Sequence, residues 1–289
     1  HQKKNNTPTM GGLFILAALV ISSLLWADLQ QVESWIMLGC LVGFGAIGFW
    51  DDFEKIRYKR GIPESYKFGT QCAIGLLVAL SWYIYLTPPT EFTIFGVPLF
   101  TMGLFLIAWA VFILVGVSNA VNLTDGLDGL AGGSLVLTTA TFSLCAFITG
   151  HALYAQNFNL LPLPTMEIAV IGSASVGALL GFLWFNGHPA QVFMGDVGSL
   201  ALGSGLACMA LMIRQELLLA FAGGLFVAET LSVMLQVVWY KYTSTRLFKM
   251  APLHHHLEMI GWPETKITLR LSIVTAVLCG ISIVLFFLT

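Results

Sequence analysis

Nine long runs of uncharged, apolar residues dominate this chain and restrict it to a membrane-embedded fold. About 17 apolar residues are enough to cross a bilayer as a helix. The runs, of which the second is marginal in length, lie at 10–27, 35–50, 68–86, 101–120, 131–150, 165–186, 196–213, 217–240 and 266–288. Only 10% of the residues are charged, against about 25% in a soluble domain. Because the runs lack the alternation of barrel strands, they predict an all-α, polytopic transmembrane helical bundle.

The lysines and arginines are confined to one end of the predicted spans. Among 13 such residues, Arg214 alone falls in a connection on the other side. Positive residues are retained in the cytoplasm, which predicts a cytoplasmic N-terminal tail and an external Thr289. Between Thr93 and Phe100, a glycine and a proline predict a small external hairpin. No repeat or linker interrupts the chain, so we expect residues 1–289 to form a single membrane domain.

The most polar stretch between two of these runs is Asn122 to Ala131, with the sequence NLTDGLDGLA. If the stretch is helical, Asn122, Asp125 and Asp128 recur every three residues and share one face. Burying such a polar group at the end of a membrane span costs roughly several kcal/mol of free energy unless water, a cation or a ligand binds it. The stretch therefore predicts a site.

Two other predicted cytoplasmic segments carry acids. Asp51 and Asp52 are expected at the C-terminal end of a helix, where they oppose the helix dipole and repel each other. The basic run that follows could compensate them, or could face anionic lipids. Asp196 lies between two glycines where the next helix is expected to begin, either as a helix cap or beside a bulky anion.

Three further features have both a structural and a functional interpretation. The segment TPTMGG from Thr7 to Gly12 could simply begin a helix, or could bind an anion with the preceding lysines. Consecutive histidines point about 100° apart on a helix, so the triplet 254–256 is unsuited to a single zinc ion and better suited to phosphate contact or proton transfer. Glu229 is an ionisable residue at membrane depth without an evident partner, near two glycines where its helix could bend.

The cytoplasmic acids together indicate a divalent cation. Few lysines lie beside the last three in the sequence, and Mg²⁺ is typically held by one or two carboxylates together with substrate phosphates. Lys4, Lys55 and Lys67 are expected to neutralise the remaining phosphate charge. This pattern predicts phosphoryl transfer at the cytoplasmic surface. The acids are Asp51, Asp52, Asp125, Asp128 and Asp196.

With these motifs assembled, the sequence resembles the polyprenyl-phosphate N-acetylhexosamine-1-phosphate transferase superfamily. Within it, the chain is most similar to the phospho-N-acetylmuramoyl-pentapeptide transferases of bacterial peptidoglycan synthesis. The resemblance extends over essentially the whole chain. It rests on TPTMGG, the Asp51-Asp52 pair, NLTDGLDGLA, FMGDVGSLALG from Phe193 to Gly203, and APLHHHLE from Ala251 to Glu258. The family has ten spans, so the resemblance implies that its first helix is absent from this sequence, in agreement with the initial His1.

The resemblance also implies residue roles. Asp196 is the expected metal ligand, Asp51 the base or nucleophile and Asp52 its essential neighbour, while His255 is placed with them in the catalytic set. The expected uridine pocket comprises Lys4, Gly126, Leu127 and Phe193. The remaining residues expected to bind substrate are Thr9, Lys55, Lys67, Asn122, Asp125, Asp128, Asn186, His254 and His256.

The implied reaction transfers phospho-MurNAc-pentapeptide from UDP-MurNAc-pentapeptide to undecaprenyl phosphate, giving lipid I and UMP, with Mg²⁺ as cofactor. It would occur in the bacterial inner membrane at a site facing the cytoplasm. The resemblance further implies a role in cell-wall biogenesis, cell shape and division, and a target for nucleoside antibiotics. No nucleic-acid partner is expected, and a homodimer is left open. A GlcNAc-1-phosphate transferase is the nearest alternative, and a cation or lipid transporter is the alternative from another class.

Overall fold

The computed structural model describes residues 7–94 and 97–288, and it confirms an all-α helical bundle with one small hairpin. Strands β1 (Glu91–Ile94) and β2 (Val97–Thr101) pair antiparallel, as predicted for this segment. The helices of the described residues are α1 (Gly12–Trp26), α2 (Val32–Tyr58), α3 (Glu64–Leu86), α4 (Phe105–Thr124), α5 (Leu130–Gly150), α6 (Ala152–Asn157), α7 (Met166–Asn186), α8 (Gly195–Met212), α9 (Glu216–Ala222), α10 (Gly224–Thr243), α11 (Leu253–Met259) and α12 (Glu264–Phe286).

Each predicted span contains a helix, but not every helix is long enough to cross. By length and composition, seven of the described helices can span a membrane, or eight if α9 and α10 form one bent span. At about 1.5 Å per residue, the 15 residues of α1 fall short of a hydrocarbon core of about 30 Å. The number of helices that meet the length criterion is therefore smaller than the nine predicted. The chain is a multi-pass membrane protein.

The predicted bend near Glu229 is confirmed. The chain breaks at Gly223, and the axes of α9 and α10 differ by 83°. The run at 217–240 is therefore two helices rather than one straight span. Glu229 follows the break by less than two turns.

Helix α8 forms the centre of the bundle. Nearly all of its residues are buried, and it packs mainly against α2 and α4. The outer helices α3 and α12 are mostly exposed along their apolar faces, as expected where lipid is the solvent. This arrangement brings the acidic motifs on α2, α4 and α8 to one end of the same three-helix contact.

Two local predictions are wrong. Helix α2 does not end at Asp51 and Asp52 but continues to Tyr58, because Lys55 follows at the spacing that pairs with both acids on a helix. The stretch from Asn122 is not one helical face, since α4 ends at Thr124 and α5 begins only at Leu130. We call the intervening residues Asp125 to Gly129 the acidic loop.

Candidate active site

The acids of α2 and α8 meet because the two helix backbones approach closely. A Cβ atom on Gly48, one turn before Asp52, would lie only 2.2 Å from the carbonyl oxygen of Asp196. Gly195, with φ +73°, turns the chain into α8 and places Asp196 in its first turn. As a result, side-chain oxygens of Asp51, Asp52 and Asp196 lie within 4.8 Å of one another.

Two lysines form ion pairs with this cluster of three acids. Lys67 Nζ lies 2.5 Å from Asp196 Oδ2 and 3.6 Å from Asp51 Oδ2. Lys55 Nζ lies 2.6 Å from Asp51 Oδ2 and 3.1 Å from Asp196 Oδ2. The expectation that few lysines accompany Asp196 is therefore wrong, because α3 and the last turns of α2 supply cations that are distant from it in sequence.

Asp51 is the most enclosed member of the cluster. It is only 2% exposed, and its Oδ1 accepts a hydrogen bond from the backbone of Ile62 at 2.9 Å. Its Oδ2 contacts both lysines. Asp52 differs, because its Oδ2 accepts a weaker bond from the Val197 backbone at 3.2 Å and the residue lines a cavity.

This cavity has a volume of about 330 Å³ and is markedly polar. It is lined by Thr9, Asp52, Lys55, Asn122, Asp125, Phe193, Gly195 and Asp196. Thr9 reaches it because the TPTMGG segment runs beside the start of α8: Pro8 O accepts from Phe193 N at 2.9 Å, and Gly11 N donates to Phe193 O at 2.8 Å. A larger cavity of about 1420 Å³, between α1, α5 and α7, is mostly apolar and is lined by none of the predicted catalytic acids.

The end of α4 contributes two of the lining residues. Asn122 donates hydrogen bonds to Asp196 Oδ1 at 3.1 Å and to Ser199 Oγ at 2.8 Å, which fixes α4 against α8. Asp125 directly follows α4. Burial, followed by the charges of Asp196 and Asp52, raises the pKa of its carboxyl to about 7.

Replacing Asp125 with Asn should remove a pH dependence of stability. The pKa of Asp125 is about 7 in the folded protein and about 3.9 in an unfolded chain, so the folded form binds the extra proton between these values. Its contribution is therefore most favourable at low pH and is lost as the pH rises towards 7. In EDTA and detergent, the unfolding free energy of the wild type should fall by roughly 3 kcal/mol relative to the variant over this range, since each of about three pH units contributes up to about 1.4 kcal/mol. Parallel pH curves would contradict the expectation.

Asp128 belongs to a second cluster and does not line the cavity. Its Oδ2 lies 3.0 Å from His188 Nδ1 and accepts from the Ala190 backbone at 3.1 Å, while its own N–H donates to Glu264 Oε1 at 2.7 Å. The two clusters are linked by Asn186, which accepts from Gly129 N at 3.0 Å and donates to Val192 O at 2.8 Å.

The predicted histidines also lie apart from the cavity lining. His254 has no exposed surface, and its Nε2 would be 2.3 Å from a Cβ on Gly126. His255 Nδ1 lies 2.7 Å from Glu258 Oε2, and His256 Nδ1 accepts from the Lys249 backbone at 3.1 Å. The structure therefore places His254 against the acidic loop rather than on an open surface.

A further expected pocket residue, Leu127, does not line the cavity. Leu127 is buried in a small apolar cluster with Leu130, Leu225 and Ile267. Lys4 lies outside the described residues.

Two matches to known protein families together contain every residue that lines the cavity. A family model described as Glycosyl transferase family 4 matches residues 34–214, which contain every lining residue except Thr9. The chain belongs to glycosyl transferase family 4. A Phospho-N-acetylmuramoyl-pentapeptide-transferase signature 1 matches residues 4–16, which contain Thr9. The protein is thus a membrane-embedded phosphosugar transferase that acts on a polyprenyl phosphate and a nucleotide sugar.

The residues of this family member suit a hard divalent cation. Asp51, Asp52 and Asp196 offer only carboxylate oxygens, the ligand type that Mg²⁺ and Ca²⁺ prefer. Asp52 and Asp196 line the cavity, whereas Asp51 is buried behind the lysines. The cluster could therefore hold a metal ion through the two acids that substrate phosphates can also reach.

Sequence reasoning missed several residues of the site. His188 and Glu264 hold Asp128, and Ser199 holds Asn122, but no spacing in the sequence connects these pairs. Glu264 is 136 residues from Asp128. Only the position of His188 in a polar segment between two apolar runs offered a signal.

Proposed function

We propose that the protein transfers phospho-MurNAc-pentapeptide from UDP-MurNAc-pentapeptide to undecaprenyl phosphate, forming lipid I and UMP. The observation that carries this proposal is the muramoyl-transferase signature at residues 4–16, whose Thr9 lines the cavity with Asp52 and Asp196. Residues 1–289 would act as one domain in the bacterial inner membrane. The cavity would face the cytoplasm, in accordance with the positive residues at this end of the spans.

The cavity supplies groups suited to a nucleotide diphosphate. Lys55 is 45% exposed in its side chain and can turn from the carboxylates to a phosphate. The ring of Phe193 is partly exposed in the lining and could stack on a flat base. Asp52 and Asp196 would hold Mg²⁺, which when bound neutralises diphosphate charge.

We favour direct attack by the lipid phosphate over a covalent intermediate on Asp51. An oxygen of the lipid phosphate would bond to the β-phosphorus, and the bond from that phosphorus to the bridging oxygen would break, releasing UMP. A phosphate monoester is largely ionised near neutral pH and needs positioning more than a strong base. Asp51 supports this choice, because both its oxygens have partners and it is almost fully buried. Its role would be to position Lys55 and Lys67.

Trapping distinguishes the two mechanisms. The protein is incubated with labelled UDP-MurNAc-pentapeptide and Mg²⁺ in the absence of lipid acceptor, quenched with acid and examined by mass spectrometry. Direct attack predicts no labelled protein. A phospho-MurNAc-pentapeptide adduct on Asp51 would defeat it.

The substrate is tested by UMP release from the purified protein in vesicles that contain undecaprenyl phosphate. With Mg²⁺ present, UDP-MurNAc-pentapeptide should release UMP at least about tenfold faster than UDP-GlcNAc, since an ill-fitting substrate commonly loses this much. Faster release from UDP-GlcNAc would favour the GlcNAc-1-phosphate transferase. Release from neither would contradict both nucleotides as substrates.

A further inference from the structure

Glu229 is a completely buried acid that the transfer chemistry leaves without a role. It lies in α10 and has 0% exposure. Its Oε2 accepts a hydrogen bond from the backbone of His254 at 3.2 Å and lies 3.1 Å from the Nδ1 of the same residue, somewhat off the line of a ring N–H bond. Within residues 7–94 and 97–288, its Oε1 has no hydrogen-bond partner. Glu229 therefore joins α10 to the first turn of α11 through one residue.

His254 in turn packs against Gly126 of the acidic loop. Its ring is also completely buried, and the closeness of Nε2 to the Cβ position of Gly126 leaves room there only for glycine. In the part of the chain that the structure describes, neither ring nitrogen has a hydrogen-bond partner. The ring therefore lies between Glu229, whose Oε2 is 3.1 Å from Nδ1, and the loop backbone beside Nε2.

The position of Gly126 determines the direction of Asp125. The Gly126 N–H donates to Thr124 O at 2.9 Å, and Asp125 between them has φ −78° and ψ 53°. These values describe an inverse γ-turn, in which the central side chain is directed by the residues on both sides. A shift of Gly126 would move the Asp125 carboxylate within the cavity.

A different helix holds the other end of the acidic loop. Thr268 Oγ1 donates to Asp128 O at 3.2 Å, and Glu264 in the same helix, α12, accepts the Asp128 N–H. Leu127, between the two ends, is buried against α10 and α12. The contact with His254 thus controls the end of the loop that carries Asp125.

Stability alone does not explain a buried acid and histidine at this position. Replacing a buried polar pair with well-packed apolar residues is commonly neutral or stabilising. We infer that Glu229 is a positioning residue of the transfer reaction, which holds the His254 ring against Gly126 and thereby sets the direction of the Asp125 carboxylate. The reaction in this inference is the one given under the proposed function, whereas the contacts between Glu229, His254 and Gly126 do not depend on it.

The test compares Glu229→Gln, His254→Gln and the double variant with the wild type. Each single change should lower kcat for UMP release about 10- to 100-fold and change KM for the nucleotide less than about threefold, because displacement of a positioned group by about 1 Å costs this much. Since the two residues act as one unit, the double variant should be no slower than the slower single variant. Glu33→Gln is the matched control, because Glu33 is a buried acid in the first turn of α2, far along that helix from Asp51, and its kcat should be unchanged.

Thermal midpoints and ¹⁵N spectra of the histidines separate positioning from folding. The His254 signal, identified by its loss in His254→Gln, should shift in Glu229→Gln while the midpoint stays within a few degrees of the wild type. A folded Glu229→Gln with kcat within twofold of the wild type, multiplicative losses in the double variant, or an unchanged His254 signal would overturn the inference.

If the wild type releases UMP only from UDP-GlcNAc, the proposed function fails and the kcat comparison uses that nucleotide. If it releases UMP from neither, there is no reaction for Glu229 to position and the inference falls with the proposed function, although the spectra still report the contact.

Discussion

Replacing Asp196 with Asn should lower turnover at least about a thousandfold, equivalent to about 4 kcal/mol of activation free energy. Asp196 lies at the centre of the cluster, because it contacts Lys67, Lys55 and Asn122 and also lines the cavity. The amide removes the charge that would hold Mg²⁺ and positions the two lysines wrongly for a phosphate. kcat for UMP release measures the effect.

The Asp196→Asn protein should remain folded. The amide oxygen can still accept a hydrogen bond, and Lys67 keeps Asp51 at 3.6 Å as a partner. The thermal midpoint in detergent should therefore fall by only a few degrees. Asp28→Asn, which changes an exposed acid in the loop before α2, is the control and should keep full activity. Mg²⁺-dependent turnover that persists in Asp196→Asn would remove the metal assignment.

Replacing Gly48 with Ala should damage both stability and turnover. The added methyl group would lie 2.2 Å from the carbonyl oxygen and 2.3 Å from the carbonyl carbon of Asp196, and 2.5 Å from the nitrogen of Val197. These are backbone atoms and cannot rotate away, so α2 and α8 must separate. Overpacking of this kind costs about 1–3 kcal/mol or more. Turnover should fall about a hundredfold, because the two helices carry Asp52 and Asp196, which both line the cavity.

Gly39→Ala is the matched control in the same helix. A Cβ atom at Gly39 has no neighbour within 4 Å. The variant should keep full turnover and be as stable as the wild type or up to about 1 kcal/mol more stable, since alanine favours a helix over glycine. Comparable losses in Gly39→Ala and Gly48→Ala would show that close approach of α2 and α8 is not what the site requires.

The sequence by itself determined the membrane class, the helical bundle, the hairpin and the start of α8 beside Asp196. These are local properties. Hydropathy over about 20 residues decides whether a segment enters a bilayer, and an acid at the beginning of an apolar run is typical of the first turn of a helix. The motifs around Asp51, Asp125 and Asp196 were found for the same reason, because an acid at the end of an apolar run is conspicuous without coordinates.

Only the tertiary structure decided which of these acids meet. Asp125 and Asp128 would share one face if the stretch were helical, but the chain turns after Thr124. Asp125 therefore lines the same cavity as Asp196, whereas Asp128 contacts His188. A shift of one residue in a helix end rotates a side chain by about 100°, so partners that are distant in sequence depend on helix ends and packing that no local pattern specifies. The same reason explains why His254, which the triplet suggested for substrate, instead lies buried between Glu229 and Gly126.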